Sequence, residues 1–322
     1  MLEERSKAAW ALYTAVLLTF IGYAGRAIYL EPLRSQFFPF AAWSYILFAD
    51  NLTYRLRGDS LAVSRTREFF ILALWSAAIC ALLELLNLRL GAWQYLDQPA
   101  TLSTRWAGRA FSWAAILPSI FITAELPPVS LVRGFMIRPL TVTPFLLKSF
   151  YAAGLAALAL ALALPGRLWP LAAAGLLLLA EPLVFRLGLG SLLREWQGGL
   201  PGKTLRLALA GIICGVLWNY WNNASGSSML CPAPFNGGPF LLGLPMLACA
   251  GFALSGLLAY SLYSLASGLR EGKTWEEGGW PMPGQPLSLM VRSAILLLIV
   301  ITLYAALRAV DIYTIKLYIG WI

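Results

Sequence analysis

The chain has 322 residues, 59% of them hydrophobic and only 12% charged, and its mean hydropathy is +0.71. That composition excludes an ordinary soluble domain. Histidine is absent, which excludes bis-histidine haem, histidine-bound copper or iron and an H-E-x-x-H zinc site. No cofactor is expected, and the net charge of +9 has to be placed along the chain before it implies a partner.

Apolar runs and their breakers predict nine helices, over 8–28, 37–54, 69–90, 107–126, 147–164, 168–186, 204–222, 240–267 and 291–312. The first is read as an uncleaved helix, because Glu3 and Glu4 precede it and no small-residue cleavage site follows. The second is interrupted by Pro39, carries Trp43-Ser44-Tyr45 near its start and ends at Asp50. The third bears Glu84 and Asn87 on one face and leaves through Trp93-Gln94-Tyr95. The fourth contains Ser112, Leu117-Pro118 and Thr123 and ends in Glu125, and its proline frees a backbone carbonyl that needs a partner. In the sixth, Glu181 lies a turn from Arg186, so an intrahelical ion pair accounts for it.

The seventh helix leaves through Trp218, Tyr220, Trp221, Asn222 and Asn223 into an uncharged loop, 223–239, and the eighth contains Leu244-Pro245. The connection 268–289 is polar and reads as a solvated connector suited to a soluble partner. Three cysteines (Cys80, Cys214, Cys249) fall in apolar runs and only Cys231 in a connection, so no loop disulfide is expected. The whole chain reads as a single all-α integral membrane domain, a polytopic helical bundle.

Counting Lys and Arg on alternate sides of these nine helices puts sixteen of the 24 on the side of the N-terminus and eight on the other. That bias predicts the N-terminus inside, the C-terminus and 223–239 outside, and a bacterial cytoplasmic (inner) membrane. The basic excess is then a topology signal, and no nucleic-acid partner is implied. On the inner side Arg57-Gly58-Asp59 is a chance tripeptide.

Two patches repeat. Trp93-Gln94-Tyr95 and Trp218-Asn219-Tyr220 are each followed by Leu-Pro, at 117–118 and 244–245, with Trp-to-Leu separations of 24 and 26 residues. A degenerate parallel repeat, helices 3–4 on helices 7–8 with Trp93 over Trp218 and Pro118 over Pro245, follows from that spacing. An interfacial aromatic belt is the alternative account of the same rings. At these motifs the chain resembles the integral-membrane carotenoid-biosynthesis proteins of the lycopene-cyclase type. The resemblance implies a multi-helix protein whose helix-end aromatic and acidic residues handle an isoprenoid, the acids protonating the polyene. That family places adjacent glutamates soon after Leu-Pro, whereas here only Glu125 follows the first pair and no acid before Glu271 follows the second.

No dinucleotide fingerprint, Walker A loop or nucleophile elbow occurs. Chemistry therefore rests on acids within helices: Asp50, Glu84, Glu125, Glu181 and Asp311. Asp50, Glu125 and Asp311 lie near helix ends and can reach the interface. The candidate site is Glu84 with Glu125 as acids, lined by Asn87, Trp93, Tyr95, Trp218, Tyr220, Trp221 and Asn222, with Asn87 donating to Glu84. Three functions fit these residues. One is a non-catalytic subunit whose aromatic and Asn-rich outer face packs on other membrane protein subunits. The second is a membrane enzyme holding an isoprenoid or other lipid with Glu84, and the third is a small-molecule transporter.

Overall fold

Each of the nine predicted segments contains a helix in the computed structural model, which describes residues 2–126, 134–231, 240–241, 244–270, 272–276 and 287–315. In chain order these helices are α1 (Leu2–Ala27), α2 (Phe37–Arg57), α3 (Thr66–Leu90), α4 (Leu102–Glu125), α5 (Pro144–Ala163), α7 (Leu171–Arg186), α9 (Gly202–Ala224), α10 (Met246–Gly268) and α11 (Leu289–Val310). Two short helices, α6 (Pro165–Leu168) and α8 (Leu192–Gln197), lie in the connections. The strands β1 (Gln94–Leu96) and β2 (Ser228–Leu230) form one ribbon, and β3 (Phe240–Leu241) and β4 (Leu244–Pro245) form another. Residues 232–239 of the uncharged loop, and Glu271 and 277–286 of the polar connector, lie outside the described residues.

Among the described residues, seven helices are long and apolar enough to cross a membrane: α1, α3, α4, α5, α9, α10 and α11. The protein is an integral membrane protein of the all-α class. α7 has only 16 residues, and α2 carries Asp50, Asn51 and two terminal arginines.

Helix ends follow local chemistry. Thr143 caps α5 by accepting from the Leu146 N–H, with Pro144 as first helical residue, and Ser288 caps α11 by accepting from Val291. Pro39 does not interrupt α2, because it falls in the first turn, where the N–H has no intrahelical partner. The fourth helix starts at Leu102 rather than 107, since Arg105 and Arg109 find Asp311 and need not wait for water. Pro245 is not inside the eighth predicted helix; it caps α10 from β4.

Pro118 does lie within α4. The buried Ser76 hydroxyl of α3 fills the break: it accepts from the Leu117 N–H at 3.0 Å and donates to the Trp113 carbonyl at 2.5 Å. A neighbouring helix thus satisfies the backbone that the proline disturbs.

The connections sort into two ends, alternating as the helix count requires. At one end Gly226 N–H donates to the Arg34 carbonyl at 2.8 Å, Ser227 donates to Asp97, and β1 pairs antiparallel with β2. At the other, Arg65 meets Glu125 and the Trp275 carbonyl, Arg270 meets Glu68, and Lys203 meets Glu276. The polar connector is therefore not simply solvated. Trp275 is 2% exposed and stacks on Phe121 with centroids 4.7 Å apart.

The main core joins α2, α3, α4, α9 and α10 through Phe37, Ile46, Leu72, Phe121, Cys214 and Tyr260 among others. Close crossings use glycine. A Cβ on Gly256 would overlap the Leu207 carbonyl, and one on Gly211 would overlap the Phe252 carbonyl, so α9 and α10 touch backbone to backbone. Gly175 and Gly154 do the same for α7 and α5, with 2.9 Å from a Gly175 Cβ to the Gly154 carbonyl oxygen. Gly256→Val is expected to destabilise by about 1–3 kcal/mol, because backbone cannot yield as a side chain can. Thermal unfolding in detergent checks this; an unchanged midpoint would mean that the crossing is looser than drawn.

The repeated motifs do not fall in like places of the fold. Trp93 lies beyond the end of α3, whereas Trp218 sits inside α9, and Pro118 is deep in α4 while Pro245 precedes α10. The residues in matching places are Asn87 and Asn222. Asn87 accepts from the Trp93 N–H and donates to the Trp93 carbonyl; Asn222 does the same to Met229. Each asparagine near a helix end thus grips the strand that follows. Those two strands pair antiparallel, with Tyr95 opposite Met229.

Candidate functional site

Glu84 faces protein and is 4% exposed. The chain leaves α3 through Gly91, whose φ of +59° is left-handed and suits glycine. This reversal brings Trp93 and Tyr95 back over the helix. Trp93 donates its indole N–H to Glu84 at 3.0 Å, and the Tyr95 hydroxyl donates to the other carboxylate oxygen. Asn87 does not donate to Glu84, contrary to the expectation from spacing. Its amide is taken by the backbone of Ala92 and Trp93, which fixes the two donors in place.

A second shell of charge surrounds this pair. The Arg109 guanidinium lies 4.4 Å from the Tyr95 ring centroid, and its Nη2 donates to Gln98 at 3.0 Å. Asp311 receives Arg105 at 3.2 Å and Trp106 Nε1 at 2.8 Å, with Arg109 Nη1 at 3.7 Å. Two carboxylates and two guanidiniums thus balance where α3, α4 and α11 meet β1. Burial first, and the Glu84 carboxylate second, push the Tyr95 phenol well above its ordinary range, so it stays a proton donor to Glu84.

Glu125 belongs to a separate cluster at the opposite end. Arg65 grips it with Nη2 at 2.9 Å from Oε2 and Nη1 at 3.3 Å from Oε1. Asp59 approaches the same guanidinium at 3.2 Å. Burial works to lower the Arg65 pKa, but the Glu125 charge, helped by Asp59 and Asp50, outweighs it and holds the guanidinium above its usual value. Asp50, 1% exposed, accepts from Ser60 Oγ at 2.7 Å and the Ala62 N–H at 2.9 Å, pinning the turn after α2.

Glu181 does not pair with Arg186, which instead sits over the Tyr151 ring at 5.2 Å. It accepts from Ser191 Oγ at 2.5 Å, the Leu193 N–H at 3.0 Å and Ser261 Oγ at 2.6 Å, so it ties α7 to α8 and α10.

The aromatic residues predicted to line the Glu84 site divide. Trp93 and Tyr95 are there. Trp221 instead packs on Phe38 and Tyr45 of α2, with centroids 6.2 and 5.8 Å away. Trp218 packs against the main core, and Tyr220 is exposed. Asn222 reaches the Glu84 region only through β2, by holding Met229 opposite Tyr95. Sequence reasoning missed Arg105, Trp106 and Arg109 as partners of Asp311; the i and i+4 spacing of the two arginines on one face of α4 was the available signal. Ser60, Ser191 and Ser261 carried no signal in the sequence.

Chemically, these clusters bind the protein to itself. Each of the five carboxyls already accepts from a described donor, and those donors come from the following loop or a neighbouring helix. Among the described residues no group of three or more His, Cys, Asp or Glu is placed to hold a metal ion. No family model, curated protein or solved structure matches the chain.

Proposed function

We propose that the chain is a non-catalytic integral membrane subunit that packs through its β1–β2 end on another membrane protein subunit. The observation that supports this reading is a contrast at that end. Glu84 and Asp311 are closed by internal donors, while Met229 and Leu230 on β2 stand 41% and 48% exposed beside an uncharged loop. An apolar edge of this kind is suited to burial against a partner. The basic-residue bias puts the ribbon on the outer face of a bacterial inner membrane. An enzyme using Glu84 as acid would first have to pull the carboxyl away from Trp93 and Tyr95.

Cys231 provides a reporter, since it is exposed next to β2 while Cys80, Cys214 and Cys249 are buried. In native membranes a maleimide should label Cys231 slowly; in the purified chain it should label readily. Mild-detergent isolation should yield a stoichiometric partner, and Met229→Asp with Leu230→Asp should release it. A chain that runs alone, with Cys231 equally reactive in both settings, would overturn the reading.

A further inference from the structure

α1 and α2 leave a groove open between them. Its volume is about 220 Å³, and Trp221 of α9 closes one side. The wall is hydrocarbon and aromatic ring, with Ala15, Val16, Phe37, Ala41 and Phe48 facing in. The hydroxyls that reach it are turned back on the protein. Thr19 donates to the Ala15 carbonyl at 2.8 Å, Ser44 to the Phe40 carbonyl at 2.8 Å, and Tyr45 lies 2.7 Å from Thr123 Oγ1. An occupant therefore meets an apolar surface.

A second, polar cavity of about 330 Å³ lies at the Arg26 end of α1, lined by Arg26, Tyr29, Arg34 and the chain around Ser225. The two are neighbours at Phe37, which lines the groove and whose ring lies 5.7 Å from the guanidinium of Arg26, a residue of the second cavity. Ala15 and Tyr23 both line the groove, ~12 Å apart along α1 at 1.5 Å per residue. Arg26 lies one turn further on.

The arginines are incompletely used. Arg26 Nε donates to the Ala224 carbonyl at 2.6 Å, at the C-terminal end of α9. The Arg34 guanidinium stacks on Tyr29 at 5.0 Å. Among the described residues neither forms an ion pair with a carboxylate, and the terminal nitrogens of both have no hydrogen-bond acceptor. The intervening Glu31 is turned to the Ser35 N–H. The pocket is nonetheless framed firmly: Gly226 N–H donates to the Arg34 carbonyl at 2.8 Å, and Ser225 Oγ to that of Ser35 at 3.1 Å.

We infer that the combined cavity binds a lipid with a phosphate headgroup, the two guanidiniums holding the phosphate and one acyl chain lying between α1 and α2. Charge complementarity selects the head, because paired guanidiniums match phosphate oxygens in geometry and sign. The neighbouring groove at Phe37 selects the tail, since a free anion would leave it empty. The site stands whether or not the ribbon meets a partner.

Native mass spectrometry of the purified full chain in detergent tests this with three probes: phosphatidylglycerol, phosphatidylcholine and inorganic phosphate. Phosphatidylglycerol should be retained best. Arg34→Gln should weaken its retention about tenfold, the scale of one charge-assisted contact. Arg34→Lys, which keeps the charge but loses the fork, should fall between. Thr19→Trp, which fills the groove, should weaken it as well. Arg308→Gln removes an exposed arginine of α11 that lies outside both cavities and should change nothing. Lipid-free unfolding midpoints for Arg34→Gln and Arg34→Lys show that each folds. Equal losses with Arg308→Gln, or equal retention of phosphatidylcholine, would overturn the site. So would inorganic phosphate stabilising the chain as well as phosphatidylglycerol does, or Arg34→Gln and Arg34→Lys both retaining lipid as the wild type does.

Discussion

Arg65→Met is expected to destabilise the protein by about 3–5 kcal/mol, the range for stranding one member of a buried ion pair. Arg65 is the shared cation for Glu125 and Asp59, and it also donates to the Trp275 carbonyl. Removing it leaves the Glu125 carboxylate buried at the end of α4, without the donor that grips both oxygens. The same change frees Trp275 from the α2–α3 turn, and with it the stack on Phe121. The double variant Arg65→Met with Glu125→Met should recover most of the loss, because the buried charge is gone and the remaining carboxylate, Asp59, is 44% exposed and can be solvated. Chemical unfolding in bicelles measures both. A double variant as weak as the single one would place the role of Arg65 at Trp275 and not at the ion pair.

Glu84→Leu should lose about 2–3 kcal/mol, since it leaves two half-buried donors, the Trp93 indole and the Tyr95 hydroxyl, without their carboxylate acceptor. The damage should be local. β1 would loosen from α3, and hydrogen exchange should accelerate at β1 and at its β2 partners Met229 and Leu230 before the rest of the bundle responds. Glu84→Gln keeps one acceptor oxygen but turns an amide donor toward the other donor, so about 1–2 kcal/mol is expected. Partner retention should survive this milder change under the subunit reading. Full stability and unchanged exchange in Glu84→Leu would show that the carboxyl is not what holds the ribbon. Loss of a catalytic activity in well-folded Glu84→Gln would return the residue to chemistry.

The sequence by itself determined the class, the nine helical segments and their alternation. Lipid imposes its own rule: a segment without water must satisfy its backbone internally, so long apolar runs have one outcome. Caps such as Thr143 with Pro144, and the stop at Gly91, are local devices and were equally readable. Glu84 was also legible, as an acid too deep for the interface with aromatic residues just downstream.

What each acid does was decided only by the fold. Glu84 and Asp311 are 227 positions apart in sequence but reach one network through Arg109 on α4. Glu181 found Ser191 and Ser261, not the nearer Arg186. Spacing along a helix identifies which residues share a face, but not which other helix covers that face. The paired motifs occupy unlike places for the same reason, because a W-x-Y motif has one sequence form whether it lies in α9 or beyond the end of α3. The groove between α1 and α2 belongs to no local segment at all. It lies where α1, α2 and Trp221 of α9 meet, and only three-dimensional packing sets Arg26, Arg34 and the chain around Ser225 beside it.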